Sequence, residues 1–284
     1  MINRHRIAIL MATYNGEKFL EEQIQSILWQ DVQDWELYLH DDKSKDDTLK
    51  IIDDYVNKYP EKIHLLQDEA DSGRGARDSF MWLLDHVDSD YYMFSDQDDI
   101  WLPHKIATVY KRICEEEIKH PSSPIMVYTD LCVADQYGSP MRLSSYEMAK
   151  MKPKWFDSFD AYRVMCKCAG CTTIINRQAK ECAIPIHPFA FMHDWWIALM
   201  VWKNGGRCIS LDVSTILYRQ HGNNECGAPE YGRAGWWQNK IRHISRVYRD
   251  NMLLFRFMKE VTGCKPWTFI VAKLRVLIYR LYLR

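Results

Sequence analysis

Two carboxylates, Asp96 and Asp98, stand two residues apart directly after the apolar run at residues 91–95. At this spacing both side chains can reach one cation, and carboxylate oxygens suit Mg²⁺ or Mn²⁺. Such an ion fills its other positions with water and phosphate oxygens, so the pair predicts a metal site that binds a diphosphate and stabilises it as a leaving group. The D-x-D spacing is common by chance, and its place at the end of a strand makes it informative. Strand alternation points the adjacent Asp99 elsewhere, so we do not expect it to be a ligand.

The segments around these carboxylates predict an α/β fold. Over the first 130 residues, short apolar runs alternate with amphipathic segments, which is typical of a mostly parallel sheet flanked by helices. Strands are expected at residues 7–12, 35–40, 62–66, 91–95 and 125–129, and helices at residues 17–29, 46–58, 75–86 and, after Pro103, to about residue 120. Residues 131–165 are irregular and aromatic, and they either wall an acceptor pocket or pack locally.

Polar residues follow several of these strands at their carboxyl ends, where open α/β sheets bind ligands. Each group alone is explained by the preference of Asp and Asn for turns and helix caps. Their recurrence at one edge of the sheet favours a shared site. The groups are Thr13, Tyr14 and Asn15 after the first strand, Asp41 and Asp42 after the second, and Asp96, Gln97, Asp98 and Asp99 after the fourth.

The order and spacing of three motifs resemble those of family 2 glycosyltransferases. The motifs are Met11-Ala12-Thr13-Tyr14-Asn15-Gly16, Leu39-His40-Asp41-Asp42-Lys43-Ser44 and Ser95-Asp96-Gln97-Asp98-Asp99. The resemblance covers about residues 5–225 and is closest to bacterial enzymes, often labelled rhamnosyltransferases, that build surface polysaccharide. It implies a GT-A (Rossmann-like) domain at residues 1–230, with a nucleotide-sugar-binding half at 1–130 and an acceptor-binding half at 131–230.

The resemblance also implies a nucleotide-sugar site. Asp42 would accept a hydrogen bond from the pyrimidine N3–H, which suits a carboxylate. Gly73 would let the backbone approach the nucleotide closely, and Arg77 would lie near it, although Asp78 stands where the family's loop usually has Asn. The residues implied to bind the donor are Thr13, Tyr14, Asn15, Asp42, Gly73, Arg77, Asp96, Gln97 and Arg219.

The implied metal ligands are Asp98, most directly, then Asp96 and His221. The segment Leu217 to Asn224 resembles the family's Tyr-Arg-x-His-x-x-Asn ending, which folds back over the diphosphate. There Arg219 would offset phosphate charge, while His221 is either a third ligand or an ordinary hydrogen-bonded polar residue.

The implied catalytic base is Asp194, in the segment Phe191-Met192-His193-Asp194-Trp195-Trp196. An inverting transferase needs a carboxylate that takes the proton of the acceptor hydroxyl while its oxygen attacks the anomeric carbon. The alternative is that Asp194 caps a helix whose two tryptophans are core, and the other motifs favour the base. The acceptor-side residues would be His193, Trp195, Trp196 and Gly170.

The cysteine count and the first residues of the chain bear on the cellular compartment in which the protein is expected. An odd cysteine count and the lack of a signal-peptide pattern favour a reducing, cytoplasmic setting. Cys166, Cys168 and Cys171 form either a zinc site or small buried thiols in a strand, and the absence of a second paired half favours the thiols.

Residues 231–284 form a basic amphipathic helical tail with twelve Lys or Arg and two acidic residues. Its pattern fits either an interfacial helix on anionic lipid, at the inner face of the membrane, or a helix packed on the catalytic domain. The apolar face is expected at Leu274, Leu277, Ile278 and Leu281, and the charged face at Lys273, Arg280 and Arg284. Nucleic-acid binding is not expected, because the body is acidic and carries no recognition motif.

The sequence therefore favours an inverting, Mn²⁺- or Mg²⁺-dependent transferase of a hexose or deoxyhexose. Its donor would be UDP- or dTDP-linked, and its acceptor a saccharide, free or lipid-linked, in a cell-surface polysaccharide such as capsule or O-antigen. A retaining transferase, a sugar nucleotidyltransferase and a catalytically silent carbohydrate-binding scaffold are the alternatives.

Overall fold

The computed structural model describes residues 6–68, 72–222 and 244–282 of the 284-residue chain. Over these residues one sheet is formed by nine strands. They are β1 Ile7–Thr13, β2 Trp35–Asp41, β3 Ile63–Leu65, β4 Tyr91–Ser95, β5 Ile100–Trp101, β6 Ile125–Ala134, β7 Pro140–Arg142, β8 Thr173–Asn176 and β9 Arg207–Arg219.

The sheet is parallel in its N-terminal half and mixed beyond it. The strand order is β3-β2-β1-β4-β8-β6-β9-β5, with β7 paired to β6. Strands β1 to β4 pair in parallel, as the sequence predicts, and so do β6 and β9. β8 runs antiparallel to both of its neighbours, and β5 runs antiparallel to β9. The α/β class is confirmed, while parallel pairing is less extensive than predicted.

Helices cover both faces of the sheet. They are α1 Leu20–Leu28, α2 Thr48–Lys58, α3 Ala76–His86, α4 Lys105–Lys119, α5 Ser145–Met148, α6 Phe159–Tyr162, α7 Arg177–Ala183, α8 His193–Lys203, α9 Ile244–Thr262 and α10 Pro266–Tyr282. Short 3-10 helices span Pro153–Phe156 and Gly170–Thr172. The stretch predicted to be irregular thus contains the end of β6, β7 and several short helices.

Strand alternation explains why β1 is apolar throughout. Ile7, Ile9 and Met11 pack into one core, with α1, α2 and α4. Ala8 and Leu10 pack into the other, with α3, α7, α8 and the C-terminal helices. Successive side chains of a strand point to opposite faces, so a strand covered on both faces reads as a continuous apolar run.

The predicted tail contains two helices, α9 and α10, and both pack on the domain. Phe257, Met258 and Phe269 are buried in the core beside α8. Of the expected apolar face, Leu274 and Ile278 are exposed and Leu277 is half-buried. Residues 231–243 and Arg284, and the side chains of Arg280 and Leu281, lie outside the described residues. Among the helices described, none combines the length and hydropathy that a bilayer-spanning segment needs.

Candidate active site

A cleft of about 440 Å³ opens at the carboxyl ends of β1, β2 and β4. Gly170 and the start of α8 also line it. It brings together residues that lie as far as 206 positions apart in the chain, from Ala12 to Tyr218. The predicted residues that line it are Thr13, Tyr14, Asp42, Asp96, Gln97, Asp98, Gly170, His193 and Asp194.

The predicted metal ligands Asp98 and His221 are in direct contact at the cleft. Nε2 of His221 lies 2.8 Å from Oδ2 of Asp98. The imidazole stacks on Phe19 at a centroid distance of 4.8 Å, which fixes its plane. Asp96 lines the same cleft, but the ligand atoms of Asp96, Asp98 and His221 do not all lie within 4.8 Å of one another. The three side chains offer carboxylate and imidazole donors. That donor set fits Mn²⁺ or Mg²⁺.

Asp99 lies closer to this acidic site than strand alternation predicts. Ligand atoms of Asp96, Asp99 and Cys171 all fall within 4.8 Å of one another. Asp99 is fully buried, and its Oδ1 accepts the backbone N–H of Arg219 at 3.2 Å. Its Oδ2 has no hydrogen-bond partner among the described residues. Burial, reinforced by the charges of Asp96 and Asp98, raises the pKa of Asp99 well above its usual range.

Asp194, the predicted base, lies in the first turn of α8. Its Oδ1 accepts the N–H of Trp195 at 2.6 Å, and its Oδ2 accepts the N–H of Gly170 at 3.1 Å. The N-cap position of this helix belongs to Met192, so Asp194 is not the capping residue. Burial raises the pKa of Asp194 to about 6, against the lowering effect of the two N–H donors. The carboxylate is therefore ionised at neutral pH and more basic than an ordinary aspartate.

His193 lines the cleft beside Asp194 as a neutral imidazole. Its ring is 3% exposed and lies between Phe80 and Phe94, at centroid distances of 4.3 and 5.1 Å. Burial lowers its pKa to about 3. Neither ring nitrogen has a hydrogen-bond partner within the described part of the chain. A Cβ on Gly170 would lie 2.4 Å from Nε2, so this ring position requires glycine there.

Gln97 holds the loop after β1 against the acidic loop. Its Oε1 accepts the backbone N–H of Tyr14, and its Nε2 donates to the carbonyl of Tyr14, both at 2.9 Å. A Cβ on Gly16 would lie 2.3 Å from Oε1, so only glycine admits this contact. The Tyr14 ring remains 52% exposed at the cleft. Gln97 thus positions Tyr14.

The loop before α3 wraps the carboxylate of Asp42. Oδ1 accepts the N–H of Arg74 at 2.6 Å, and Oδ2 accepts the N–H of Gly75 at 2.8 Å. A Cβ on Gly73 would meet Oδ2 at 3.0 Å, so Gly73 admits the carboxylate to the loop. A carboxylate has about four acceptor sites, so Asp42 retains capacity for a further N–H donor in the cleft. Thr13 is buried and donates to Oδ1 of Asp41 at 2.9 Å.

Comparison with known proteins decides the family. The model of "Glycosyl transferase family 2" matches residues 8–172, more than half of the 284 residues. A dTDP-rhamnosyl transferase, RfbG of Shigella flexneri, is 30% identical over 85% of this chain and 85% of its own.

The chain belongs to glycosyltransferase family 2.

The resemblance carried by the three motifs is thereby confirmed, and the protein is a glycosyltransferase. A second relative is the UDP-Glc:alpha-D-GlcNAc-diphosphoundecaprenol beta-1,3-glucosyltransferase WfgD of Escherichia coli, 25% identical over 70% of each chain. Solved structures share the fold. The mannosyltransferase PcManGT of Pyrobaculum calidifontis, in complex with GDP-Man and Mn²⁺, is similar with a TM-score of 0.59 at 16% identity, over 98% of this chain and 75% of that one.

TarS of S. aureus, residues 1–349, is similar with a TM-score of 0.54 at 19% identity, over 75% of this chain. The chain spans 60% of that structure. At this level of identity the likeness concerns the fold alone.

Two arginines predicted to face the nucleotide of this glycosyltransferase are turned elsewhere. Arg219 is 2% exposed, and its guanidinium donates to the carbonyls of Asp98 and Gln136 and to Glu22. Arg77 forms a bidentate pair with Asp78, at 2.7 and 2.8 Å, and donates to the carbonyls of Pro188 and Ala190. Arg219 therefore holds the acidic loop after β4 in place, and Arg77 joins α3 to the loop before α8.

Three further predicted residues serve the architecture around the cleft. Asn15 lies in the left-handed region, with φ of 48°, and its Oδ1 accepts the N–H of Lys45 at 2.8 Å. Trp195 donates its indole N–H to the carbonyl of Tyr162, and Trp196 donates to that of Ala183, both at 2.6 Å. Trp196 is 7% exposed and belongs to the core, as the alternative interpretation of this segment anticipates.

The three neighbouring cysteines do not act as one ligand set. Sγ of Cys166 and Sγ of Cys168 are 3.6 Å apart, whereas Cys171 groups with Asp96 and Asp99. Over the described ranges, no three cysteines come close enough together to hold a metal ion. Cys168 and Cys171 are buried and Cys166 is half-buried, but none of the three lies in a strand as predicted, because β8 begins only at Thr173.

Sequence reasoning missed Lys105, which lies buried near the acidic loop. Its Nζ donates to the carbonyl of Cys171 at 2.9 Å and lies 4.7 Å from the ring centroid of Trp101. Burial lowers its pKa to about 8, while Cys171, Asp99 and Asp96 act in the opposite direction. The only local signal is a lysine at the first position of an amphipathic helix, which is usually a solvated residue.

Proposed function

We propose that this family 2 glycosyltransferase is an inverting, metal-dependent enzyme that transfers a hexose or deoxyhexose from a UDP- or dTDP-linked donor to a saccharide. The observation that carries the proposal is the arrangement of acids around one cleft. Asp96 and Asp98 line it from the nucleotide half, and Asp194 lines it from the acceptor half. The two sets of carboxylates suit the two ends of a displacement, namely the departing diphosphate and the attacking hydroxyl.

Asp194 is suited to act as the base. Its raised pKa of about 6 leaves it ionised at neutral pH yet able to accept a proton. In the proposed step, an acceptor oxygen attacks the anomeric carbon while its hydroxyl proton passes to Asp194. The bond from that carbon to the diphosphate breaks on the opposite face, and the diphosphate takes the electron pair. The N–H groups of Gly170 and Trp195 hold the carboxylate in place.

The metal would be held by Asp96, Asp98 and His221. When bound, it supplies positive charge that stabilises the leaving diphosphate. The protein's own contribution is to fix the ligands beforehand, since Phe19 orients His221 and Arg219 holds the carbonyl of Asp98. Preorganised charge of this kind costs no rearrangement during the reaction.

The nucleoside would lie against the loop after β1 and the carboxylate of Asp42. Tyr14 offers an exposed ring whose backbone Gln97 fixes, and Asp42 offers its remaining acceptor sites to a pyrimidine N3–H. Thr13 lines the same part of the cleft. Roles for Asn15, Gly73 and Arg77 in donor binding would be indirect, through the loops they shape.

The biological setting of the proposal is the synthesis of a cell-surface polysaccharide, such as capsule or O-antigen. It is supported by the names of the relatives, a dTDP-rhamnosyl transferase and a glucosyltransferase whose acceptor is a GlcNAc-diphosphoundecaprenol. We extend it to an acceptor that is lipid-linked and to action at the cytoplasmic face of the membrane.

The test is a panel of UDP-, dTDP- and GDP-sugars incubated with the full chain, with and without Mn²⁺. We expect one UDP- or dTDP-sugar to bind and to hydrolyse slowly only when metal is present. With a saccharide acceptor, NMR of the product should show an inverted anomeric configuration. A retained configuration would indicate a retaining transferase, and release of pyrophosphate from a nucleoside triphosphate would indicate a nucleotidyltransferase. Nucleotide-sugar binding that does not depend on metal, with no hydrolysis or transfer, would indicate a catalytically silent binding protein.

A further inference from the structure

Helix α10 carries apolar side chains on two opposite sides. One side packs on the domain through Phe269, Ala272 and Tyr279. The other side presents Trp267, Ile270, Leu274 and Ile278 at exposures of 75, 48, 49 and 54%. Their spacing of three, four and four residues places them in one row along the helix, about 16 Å long. We call this row the outer stripe.

The surface beside the outer stripe is also apolar. A groove of about 590 Å³ lies between α10 and the segment at residues 155–161. Its lining includes Ala272, Val276 and Ile278 of α10 and Trp155 opposite them. The Trp155 ring is 64% exposed and meets the Tyr279 ring at a centroid distance of 5.0 Å. Ile278 belongs to both features, so the stripe and the groove form one surface.

Cations border this surface. Lys265 precedes the stripe, Arg275 lies on α10 at the groove, and Lys152 lies over the Trp155 ring at 5.9 Å; all three are exposed. The acid at the groove, Asp160, is paired with Arg163 at 2.6 Å. The surface is therefore apolar in its middle and positively charged at its edge.

We propose that the outer stripe, with the groove and its bordering cations, docks on an anionic lipid bilayer. A helix that exposes a row of large apolar residues beside Lys and Arg suits the interface between headgroups and acyl chains. A second copy of the chain is the competing occupant. A two-fold interface would bring the same patch of both copies together, and with it the like charges of Lys265 and Arg275. The positive charge at the edge of the surface therefore favours an anionic bilayer over a second copy of the chain.

The docking surface adjoins the predicted acceptor-binding half of the enzyme. Tyr279 of α10 packs on Ala161 of α6. The next residue, Tyr162, accepts the indole N–H of Trp195, which follows Asp194 in α8. One short helix thus connects the lipid-facing helix with the proposed base. That this arrangement presents a lipid-linked acceptor to Asp194 rests on the proposed function, whereas lipid binding itself does not.

The test is sedimentation of the full chain with two kinds of vesicle, phosphatidylcholine alone and phosphatidylcholine mixed with phosphatidylglycerol. We expect binding to the mixed vesicles that weakens as salt is added, because the cations act through a screened field. Ile270→Ser combined with Leu274→Ser should weaken binding about tenfold or more by removing apolar contact. Lys265→Gln combined with Arg275→Gln should weaken it roughly tenfold to thirtyfold, at about 1 kcal/mol per cation.

The matched control replaces exposed apolar residues elsewhere. Ile118 and Leu143 are 81 and 77% exposed, and Ile118→Ser combined with Leu143→Ser should bind vesicles like the wild type. Circular dichroism and donor hydrolysis of all variants should match the wild type, because none of these residues lines the cleft. Failure of transfer with a soluble acceptor would count against the proposed function and leave vesicle binding unaffected.

Two results would overturn the docking proposal. One is equal binding of the stripe variant and the wild type to phosphatidylglycerol vesicles. The other combines two observations: the wild type binds neither kind of vesicle, and it is a dimer in solution whereas the stripe variant is a monomer. That result would assign the surface to a second copy of the chain.

Discussion

Nε2 of His221 and Oδ2 of Asp98 lie 2.8 Å apart, although 123 positions separate them in the chain. Strand β9 ends at Arg219, two residues before the histidine, and pairs with β5, which follows the acidic loop. The pairing of these two strands therefore carries the imidazole to the carboxylate. Both side chains are largely shielded, with side-chain exposures of 12 and 15%.

The first prediction concerns this pair. Asp98→Ala should abolish the gain in nucleotide diphosphate affinity that Mn²⁺ provides, because it removes the carboxylate proposed as the most direct ligand. His221→Gln should weaken the gain by about tenfold or more, since it keeps Asp98 and Asp96. Titration calorimetry of UDP and dTDP, with and without Mn²⁺, measures both. Wild-type affinity of Asp98→Ala in the presence of metal would remove Asp98 from the ligand set.

The second prediction concerns the pH dependence of transfer. A base acts when it is deprotonated, and the pKa of Asp194 is raised to about 6. The rate should therefore rise tenfold per pH unit below about pH 6 and level off above it. His193, whose pKa is lowered to about 3, stays neutral throughout this range and should add no second inflection.

The variant Asp194→Asn tests the role of Asp194 as the base separately from donor binding. We expect transfer to fall on the order of a hundredfold to ten-thousandfold, while donor affinity with Mn²⁺ stays within about twofold of the wild type. Single-turnover rates and equilibrium binding on the same preparation distinguish the two effects. Near-normal transfer by this variant would show that another group takes the proton.

The third prediction concerns Gly170, whose added Cβ would lie 2.4 Å from Nε2 of His193. Gly170→Ala should lower stability by about 1–3 kcal/mol through overpacking and should slow transfer, because Gly170 also donates to Asp194. Combining it with His193→Ala removes the clash and should cost less stability than the sum of the two single variants. Additive free energies of urea unfolding would show that the two residues do not interact.

The fourth prediction concerns the buried guanidinium of Arg219. Arg219→Gln leaves the carbonyls of Asp98 and Gln136 without their donors, and should destabilise the fold on the order of 3 kcal/mol and weaken Mn²⁺ binding. Arg219→Lys should not restore stability or Mn²⁺ binding, because one ammonium group cannot replace a guanidinium whose hydrogen-bond partners lie in different directions. The exposed Arg142→Gln is the control, with an expected change within about 0.5 kcal/mol. A stable Arg219→Gln with normal metal affinity would contradict this structural role.

Much of the N-terminal half could be predicted from the sequence. Strand β4 was predicted to the residue, and β1 and β2 to within one, because strands buried on both faces stand out as apolar runs between polar turns. The D-x-D motif was placed at the end of a strand for the same reason. The mixed order of β8, β6, β9 and β5 was not predictable, since their pairings join segments far apart in the chain.

The directions in which the side chains point could also be known only from the tertiary structure. The resemblance to the family's ending implied that Arg219 and His221 lie near the diphosphate. It could not show that Arg219 donates to the backbone carbonyl of Asp98 or that His221 contacts the Asp98 carboxylate. The same holds for Trp195 and Trp196, whose indoles bond to backbone carbonyls of other helices. Each orientation depends on acceptors that distant segments supply.

By itself the sequence determined the residue types suited to the proposed chemistry, the strand ends that carry them and the family to which the chain belongs. These features are local, because they follow from hydrophobic periodicity and from short motifs. Only the tertiary structure decided which predicted residues share the cleft, how far burial raises the pKa of Asp194, and which of the two apolar sides of α10 meets the core. Burial and contact depend on packing between segments that are remote in the chain, and periodicity cannot specify the partner.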